Sequence, residues 1–398
     1  MKNFIISGAI SMALFSCSNP QNSEVQTEAS QEFVGVIFQN DSTQCTFNAV
    51  LEGSQLTVYN GVQEEIIVML EGTDTLRGTF PVFASDLFLV KDGFGYKGEF
   101  FRTDAEDYRL PIELVPGRKE YSAAPAEIPS QYLITRHFKD GSSKPALLQL
   151  GVKDNTLVGT IATSTGDTRF LTGYPVEEGF VLEGFDGRFI YHVDALTQGD
   201  SIFGEVWAGM GGYFSFEGVV DEKAVLDNPE TMSKLREDYT HIEWAYTDLN
   251  GDSIHFDSRA ITKPTILTIQ GSWCPNCMDE GRVLDQFYRE FNGAIDIYGL
   301  SFEYSGTLEK ATAAVQKMAR DLETTFPMVI ATYSRDQDPN AILPLDRIRS
   351  YPTSIILNKR GDVVRIHTGF YGPSTKEYAG YIEETRSLLQ ELTGEADE

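Results

Sequence analysis

From Phe33 to about Val220 no segment carries a convincing 3.6-residue hydrophobic period, and this constrains the fold more than any other feature of the chain. Short alternating runs take its place: Ile66–Leu70, Leu87–Val90, Leu157–Ile161 and Phe189–Val193. Between them stand Asn60-Gly61, Asp92-Gly93, Asp140-Gly141 and Asp186-Gly187. Such pairs suit tight hairpins, whose two central residues take positive φ. The expectation is an antiparallel β-rich region over 33–225, a meander closing into a barrel or sandwich. Pro116, Pro125 and Pro129 mark the 116–130 stretch as a candidate meeting point of two halves, although no clean internal repeat crosses it. Cys45 alternates with Phe47, Ala49 and Leu51, the pattern of a small core residue; a reactive thiol is the competing reading.

After a linker at 226–240, which holds Pro229, the pattern changes. Tyr246–Phe256 reads as a hairpin around Asn250-Gly251, and Thr265–Gln270 as a strand. Pro275–Phe291 is helical, with Val283, Leu284, Phe287 and Phe291 on one face. Ile295–Phe302, Pro327–Ala331, Ser354–Leu357 and Val363–His367 read as strands, and Leu308–Leu322 and Lys376–Leu392 as helices, with a short helix near 342–348. Strands alternating with helices predict an α/β domain over 241–398.

The start of the chain has a different character. Lys2 precedes an apolar run from Phe4 to Phe15, too short for a membrane-spanning helix, which needs about 20 residues. A basic start and a short apolar stretch describe a signal peptide over 1–16, followed by a polar tether at 17–32. Leu14-Phe15-Ser16-Cys17 resembles a bacterial lipoprotein cleavage box, and ordinary secretion is the alternative. That resemblance implies a lipid on Cys17, a lipid anchor in a bacterial membrane, and residence in the cell envelope facing the periplasm. The 32 basic and 59 acidic side chains give a net charge of −27, which repels nucleic acid and anionic lipid surfaces. Four cysteines in 398 residues are too few for a disulfide-stapled scaffold.

The chemistry concentrates at Trp273-Cys274-Pro275-Asn276-Cys277, where a strand meets a helix. Two cysteines three apart can close a disulfide across one turn, and the helix N-terminus favours a thiolate at Cys274. Cys277, one turn in, is the expected resolving thiol. Pro275 suits a first turn, where its missing N–H costs nothing. A zinc site lacks a second pair of ligands, a haem site lacks histidine at position 278, and so small a loop gives a structural disulfide little leverage. A peroxiredoxin-type site wants Pro seven and Thr or Ser three residues ahead of the reactive cysteine, where Leu267 and Gly271 stand.

Residues 240–395 resemble the TlpA-like thiol-disulfide reductases of the thioredoxin superfamily, a group that includes ResA-like proteins. The resemblance rests on Tyr246–Gly251, Lys263-Pro264, Gly271–Glu280 and Tyr351-Pro352-Thr353. Gly166–Phe170, Phe185–Gly187 and Gly204–Gly209 carry a weaker likeness to the N-terminal β domains of such redoxins. It implies a thioredoxin fold for 241–398 and a redox-active Cys274–Cys277 pair with no further cofactor and no metal. Tyr351-Pro352-Thr353 becomes a cis-proline loop that binds substrate beside Trp273, and Glu280 a carboxylate near the thiols, unless it is a solvated first-turn acid. Thioredoxin itself has an Asp six residues before its first cysteine, where Thr268 stands here. The implied partners are protein thiols and disulfides and an upstream envelope electron donor. Two other readings stand beside this one: a β-domain binding lipoprotein with an accessory redoxin domain, and a thiol peroxidase. Gly369–Pro373 is a loop that could border the site.

Overall fold

The computed structural model describes residues 30–125, 127–338 and 343–394. The expected leader at 1–16, Cys17 and most of the tether lie outside the described residues. The first strand, Gln31–Phe38, begins inside the stretch expected as tether. Gln31 and Glu32 are exposed and polar, so nothing in the hydrophobic pattern marks them, yet they pair with Leu51 and Val50.

Eight antiparallel strands between Gln31 and Pro116 form a closed barrel, wound in chain order, whose first and last strands pair from Phe33↔Pro116 to Ile37↔Ile112. A second meander runs from Gln131 to Val220. Its last strand pairs with its first, Phe214↔Phe138 through Val220↔Tyr132, so eight strands again close a ring, with the two-residue Gly166–Asp167 strand appended. The proline-bearing stretch between Pro116 and Gln131 separates the two rings. The turn chemistry differs in detail from expectation: Gly61, Gly93, Gly141 and Gly187 take positive φ, whereas Asn60, Asp92, Asp140 and Asp186 do not. One glycine is enough because the loops do not place both members of each pair at the hairpin tip; at Asp92-Gly93 the aspartate is still strand, and the loop is Gly93-Phe94.

The C-terminal sheet orders its strands as Ser253–Asp257, Glu243–Asp248, Met328–Thr332, Asp296–Phe302, Thr265–Gln270, Thr353–Leu357 and Val363–Thr368. The three strands Thr265–Gln270, Asp296–Phe302 and Met328–Thr332 are mutually parallel; Thr353–Leu357 pairs antiparallel with Thr265–Gln270, and Val363–Thr368 antiparallel with Thr353–Leu357. Helices α1 (Pro275–Glu290), α2 (Leu308–Asp321) and α3 (Tyr378–Gly394) bury Leu284, Phe287, Val315, Met318 and Leu389 against Ile266, Ile297, Met328 and Ile356. This is a thioredoxin fold carrying an added N-terminal hairpin. The opposite face buries Leu267, Ile269, Leu300 and Ile355 under Trp244, Phe256, Leu343 and Leu345.

That face explains a correction. The described part of the expected 342–348 helix, 343 onward, is extended, with Leu345 bridging to Leu235. Leu343 and Leu345 both face the sheet, an i, i+2 spacing that only extended chain provides, and Pro344 between them lacks a helical N–H donor. The 226–240 segment is pinned as well: Arg236 donates from its N–H to the Pro344 carbonyl at 2.8 Å, and the Thr368 hydroxyl donates to that of Ser233 at 2.8 Å.

The three units interlock. Phe185, from the second barrel, lies in the first barrel's core with ring centroids 5.1–5.3 Å from Phe47, Phe80 and Phe100. Val82 and Phe83, on a loop of the first barrel, pack into the core beneath α1 and α2. Val82 takes φ 63°, a conformation a β-branched residue rarely adopts, and its N–H donates to Asp321 at 2.8 Å.

Candidate active site

Thr265–Gln270 is buried along its whole length, the position of a central strand, and it delivers the chain to a tight turn before α1. Two buried contacts shape that turn. Glu303, just past Asp296–Phe302, accepts from the Ser272 N–H at 2.7 Å and the Ser272 hydroxyl at 2.8 Å, and burial pushes its carboxyl up. The Trp273 indole donates to the Phe302 carbonyl at 3.0 Å, so close that a side chain on Gly271 would strike the ring nitrogen.

Cys274 is the N-cap of α1, and its sulfur accepts from the Cys277 N–H at 3.3 Å. A cap residue's side chain satisfies a first-turn N–H that the helix itself leaves free, so the chain end that forms the helix also fixes the sulfur. Pro275 occupies the first turn. Cys277 is fully buried, and that burial, followed by its contact with Cys274, pushes its thiol well up. Both cysteines are free thiols here. The Cys274 thiol also donates to the Tyr351 carbonyl at 3.5 Å, across a loop whose Tyr351–Pro352 bond is cis. Tyr351 and Tyr304 each place a ring 5.2 Å from that of Trp273. Thr353 is buried with its hydroxyl donating to Ser350 at 2.8 Å, so its side chain holds the loop from within.

Glu280 lies one turn beyond Cys277 and is 1% exposed, so it is not a solvated first-turn acid. Its two oxygens accept from the Thr268 hydroxyl at 2.5 Å and the Ser354 hydroxyl at 2.6 Å. No cation pairs with it within ion-pair distance among the described residues, and burial pushes its carboxyl up to about 7. Its charge is among the influences that raise Cys277. Thr268, at the position where thioredoxin has an acid, thus takes part as a hydrogen-bond donor. Cys45, by contrast, sits in the first barrel's core with its thiol pushed up by burial.

Sequence reasoning missed the side of the site built by the second barrel. Asp167, on the Gly166–Asp167 strand, accepts from the Gly372 N–H at 2.7 Å, the Arg169 N–H at 2.5 Å and the Asn276 amide at 3.4 Å. Burial, then the charge of Asp279, pushes its carboxyl up to about 6. A side chain on Gly166 would collide with the Asn276 amide oxygen, so glycine permits this strand to lie against the dithiol turn. The 369–373 loop does border the site: Gly369 donates to Pro352 at 2.7 Å and Gly372 to Asp167. Arg169 is 2% exposed and joins all three units, binding Asp279 of α1 through two nitrogens at 2.8 and 3.0 Å, Glu64 of the first barrel at 2.8 Å and Asp186 of the second at 3.2 Å. The signal available was the pair of stretches Gly166–Phe170 and Phe185–Gly187, which hold Asp167, Arg169 and Asp186 but marked only a likeness between β domains, with no sign that they meet α1.

Comparison with known proteins adds independent observations. No family model matches the chain. It is 26% identical over 107 residues to the thioredoxin-like protein YneN of Bacillus subtilis, covering 27% of this chain and 57% of that one. It is also 26% identical over 129 residues to the thiol-disulfide oxidoreductase ResA of Halalkalibacterium halodurans, covering 32% and 66% respectively. The chain therefore spans less than two thirds of either relative. A thiol:disulfide interchange protein from Chlorobium tepidum shares 16% identity, with 39% of this chain and 95% of that one covered and a TM-score of 0.30. For a thiol-disulfide oxidoreductase from Bacteroides fragilis the figures are 15%, 37%, 99% and 0.28. In its sheet order and its dithiol turn, the thioredoxin-fold region of residues 243–394 is thus similar to thioredoxin-like and thiol-disulfide oxidoreductase proteins.

Proposed function

We propose that this protein is a thiol-disulfide oxidoreductase that reduces protein disulfides in the bacterial cell envelope, held to a membrane by a lipid on Cys17. The observation that carries the reading is a single one: the Cys274 sulfur caps α1, receives the Cys277 N–H and faces the Tyr351 carbonyl. Cys274, as thiolate, attacks one sulfur of the substrate disulfide and expels the other as a thiolate. Cys277 then attacks the Cys274 sulfur, releases the second substrate thiol and leaves a Cys274–Cys277 disulfide. Two electrons pass to the substrate, and an upstream envelope donor restores the dithiol. Glu280, its carboxyl near neutrality through burial, takes the proton that Cys277 must lose to attack. Trp273 and Tyr351 form the substrate-facing surface, with Pro352 and the buried Thr353 holding the loop behind them. No cofactor beyond the cysteine pair is required by this scheme.

A redox titration of the mature protein in graded dithiol/disulfide buffers tests it, with thiol labelling of Cys274 and Cys277. A potential near or below about −270 mV fits a reductant, whereas one near about −120 mV makes the protein an oxidant. A pair that never closes reversibly ends the oxidoreductase reading. Unchanged function in Cys274→Ser would favour the β-domain binding role, and peroxide consumption with a thiol donor would favour a peroxidase.

A further inference from the structure

Between the mouth of the second barrel and the dithiol turn lies an open cleft of about 680 Å³, within the roughly 300–1,000 Å³ range of ligand sites. One wall is Asn276, Ser350 and Tyr351; the other comes from the barrel, where Arg136, Lys139 and Phe214 line it. An occupant that fills the cleft therefore reaches Asn276, one of the two residues between the cysteines, and the loop whose Tyr351 carbonyl receives the Cys274 thiol.

The charges in this cleft are unusual for so acidic a chain. Arg136 lies 5.5 Å from the Phe138 ring and 5.7 Å from that of Phe214. One of its terminal nitrogens donates to the Pro145 carbonyl at 3.4 Å, while its Nε is buried with no partner. Lys139 rests 5.4 Å from the Tyr213 ring. Neither cation has a carboxylate within ion-pair distance among the described residues, although acidic side chains outnumber basic ones by 59 to 32. The two acids that also line the cleft are engaged elsewhere: Asp140 accepts from the Ser142 N–H and hydroxyl, and Asp167 from Gly372, Arg169 and Asn276. A half-buried guanidinium bracketed by aromatic rings, with donors to spare, is a receptor for a carboxylate.

We propose that this cleft binds the polypeptide segment flanking the disulfide to be exchanged, and that an acidic side chain of that segment seats against Arg136 and Lys139. The inference rests on the oxidoreductase reading and supplies its substrate class: polypeptides with an acidic and an apolar residue close to the cystine. The second barrel is then the substrate-selecting half of the enzyme, and its aromatic rings take the apolar neighbour.

The test uses the reduced mature protein and three looped peptide disulfides differing only in Asp-Phe, Asn-Phe or Lys-Phe after one cysteine, with 2-hydroxyethyl disulfide as a substrate too small to fill the cleft. The wild type is expected to reduce the Asp peptide with kcat/KM roughly tenfold above the Asn peptide, the scale of one charge-assisted hydrogen bond. Arg136→Gln abolishes that preference, Lys139→Gln reduces it, and Arg136→Glu shifts it to the Lys peptide, all with unchanged turnover of 2-hydroxyethyl disulfide. An equal preference in wild type and Arg136→Gln overturns the cleft assignment while leaving the activity standing. Oxidised glutathione reduced faster than the Asp peptide, in an Arg136-dependent way, overturns the polypeptide occupant. A wild type that reduces none of these disulfides, 2-hydroxyethyl disulfide included, overturns the activity itself and the cleft's role with it.

Discussion

The ring of residues 31–116 and the ring of residues 131–220 share one topology, eight antiparallel strands closed in chain order, and put it to different uses. The first is filled: Phe33, Phe47, Phe80 and Phe100 occupy its interior, and Phe185 enters it from the second barrel. The second is filled mainly by Leu148, Leu157, Leu171, Leu182 and Ile202, keeps a half-buried Phe138 beside the buried Phe214 at its mouth, and extends its 163–169 loop onto the dithiol turn. A closed barrel has no edge to protect and needs only a packed interior, so its loops are free to carry chemistry. In this molecule one barrel serves as a base for the assembly and the other as a wall of the site.

That contrast can be broken most severely at Arg169. Arg169→Met takes the shared guanidinium from the buried Asp279 and Asp186 and the half-buried Glu64. It leaves Asp279 and Glu64 with only the exposed Arg282, and Asp186 with no cation among the described residues, and chemical denaturation should show a loss of about 3–5 kcal/mol. A loss below about 1 kcal/mol would mean that the three units hold together without the cluster.

Phe185→Ala, measured in the same way, is expected to cost about 3 kcal/mol or more because it empties the end of the first barrel. Its turnover of a small disulfide should stay near wild type. A collapse of activity at retained stability would show that the first barrel does more than support.

Glu280→Gln sharpens the comparison from the redoxin side. Burial raises the Glu280 carboxyl from about 4.5 to about 7, so the stability that the protonated group confers is full below about pH 4.5 and is lost as pH rises through about 7. Glutamine removes that dependence, and the variant should gain on the wild type by on the order of 3 kcal/mol between pH 4 and pH 8 in urea unfolding. Parallel stability curves would place the titration of Glu280 elsewhere.

The smallest effect belongs to the first barrel's rim. Arg118→Ala breaks an exposed pair with Glu32 at 2.9 Å and should change stability by less than about 1 kcal/mol. A larger loss would make that rim part of the inter-unit framework.

Much of this architecture was legible because it follows from local rules. The α1 span, the Thr265–Gln270 strand and Cys274 at the junction follow from hydrophobic period and from the placement of Pro275. The hairpins of both barrels follow from alternation and turn glycines. The 343–348 segment misled because its leucines obey the pattern of the sheet they cover rather than that of their own neighbours. Glu280 was ambiguous for a related reason: an acid in the second turn of a helix looks the same whether it meets water or, as here, two hydroxyls from different strands.

By itself, then, the sequence determined where most strands, the three long helices and the cysteine pair fall, since caps, periodicity and turn geometry act over a few residues. Only the tertiary structure decided that Arg169 meets Asp279 across 110 positions, that Phe185 belongs to the other barrel's core, and that Arg136 and Lys139 face the dithiol turn across a cleft. Those relations depend on how closed barrels dock, and a barrel's strand pattern specifies its inward face while leaving its loops and outer surface undetermined.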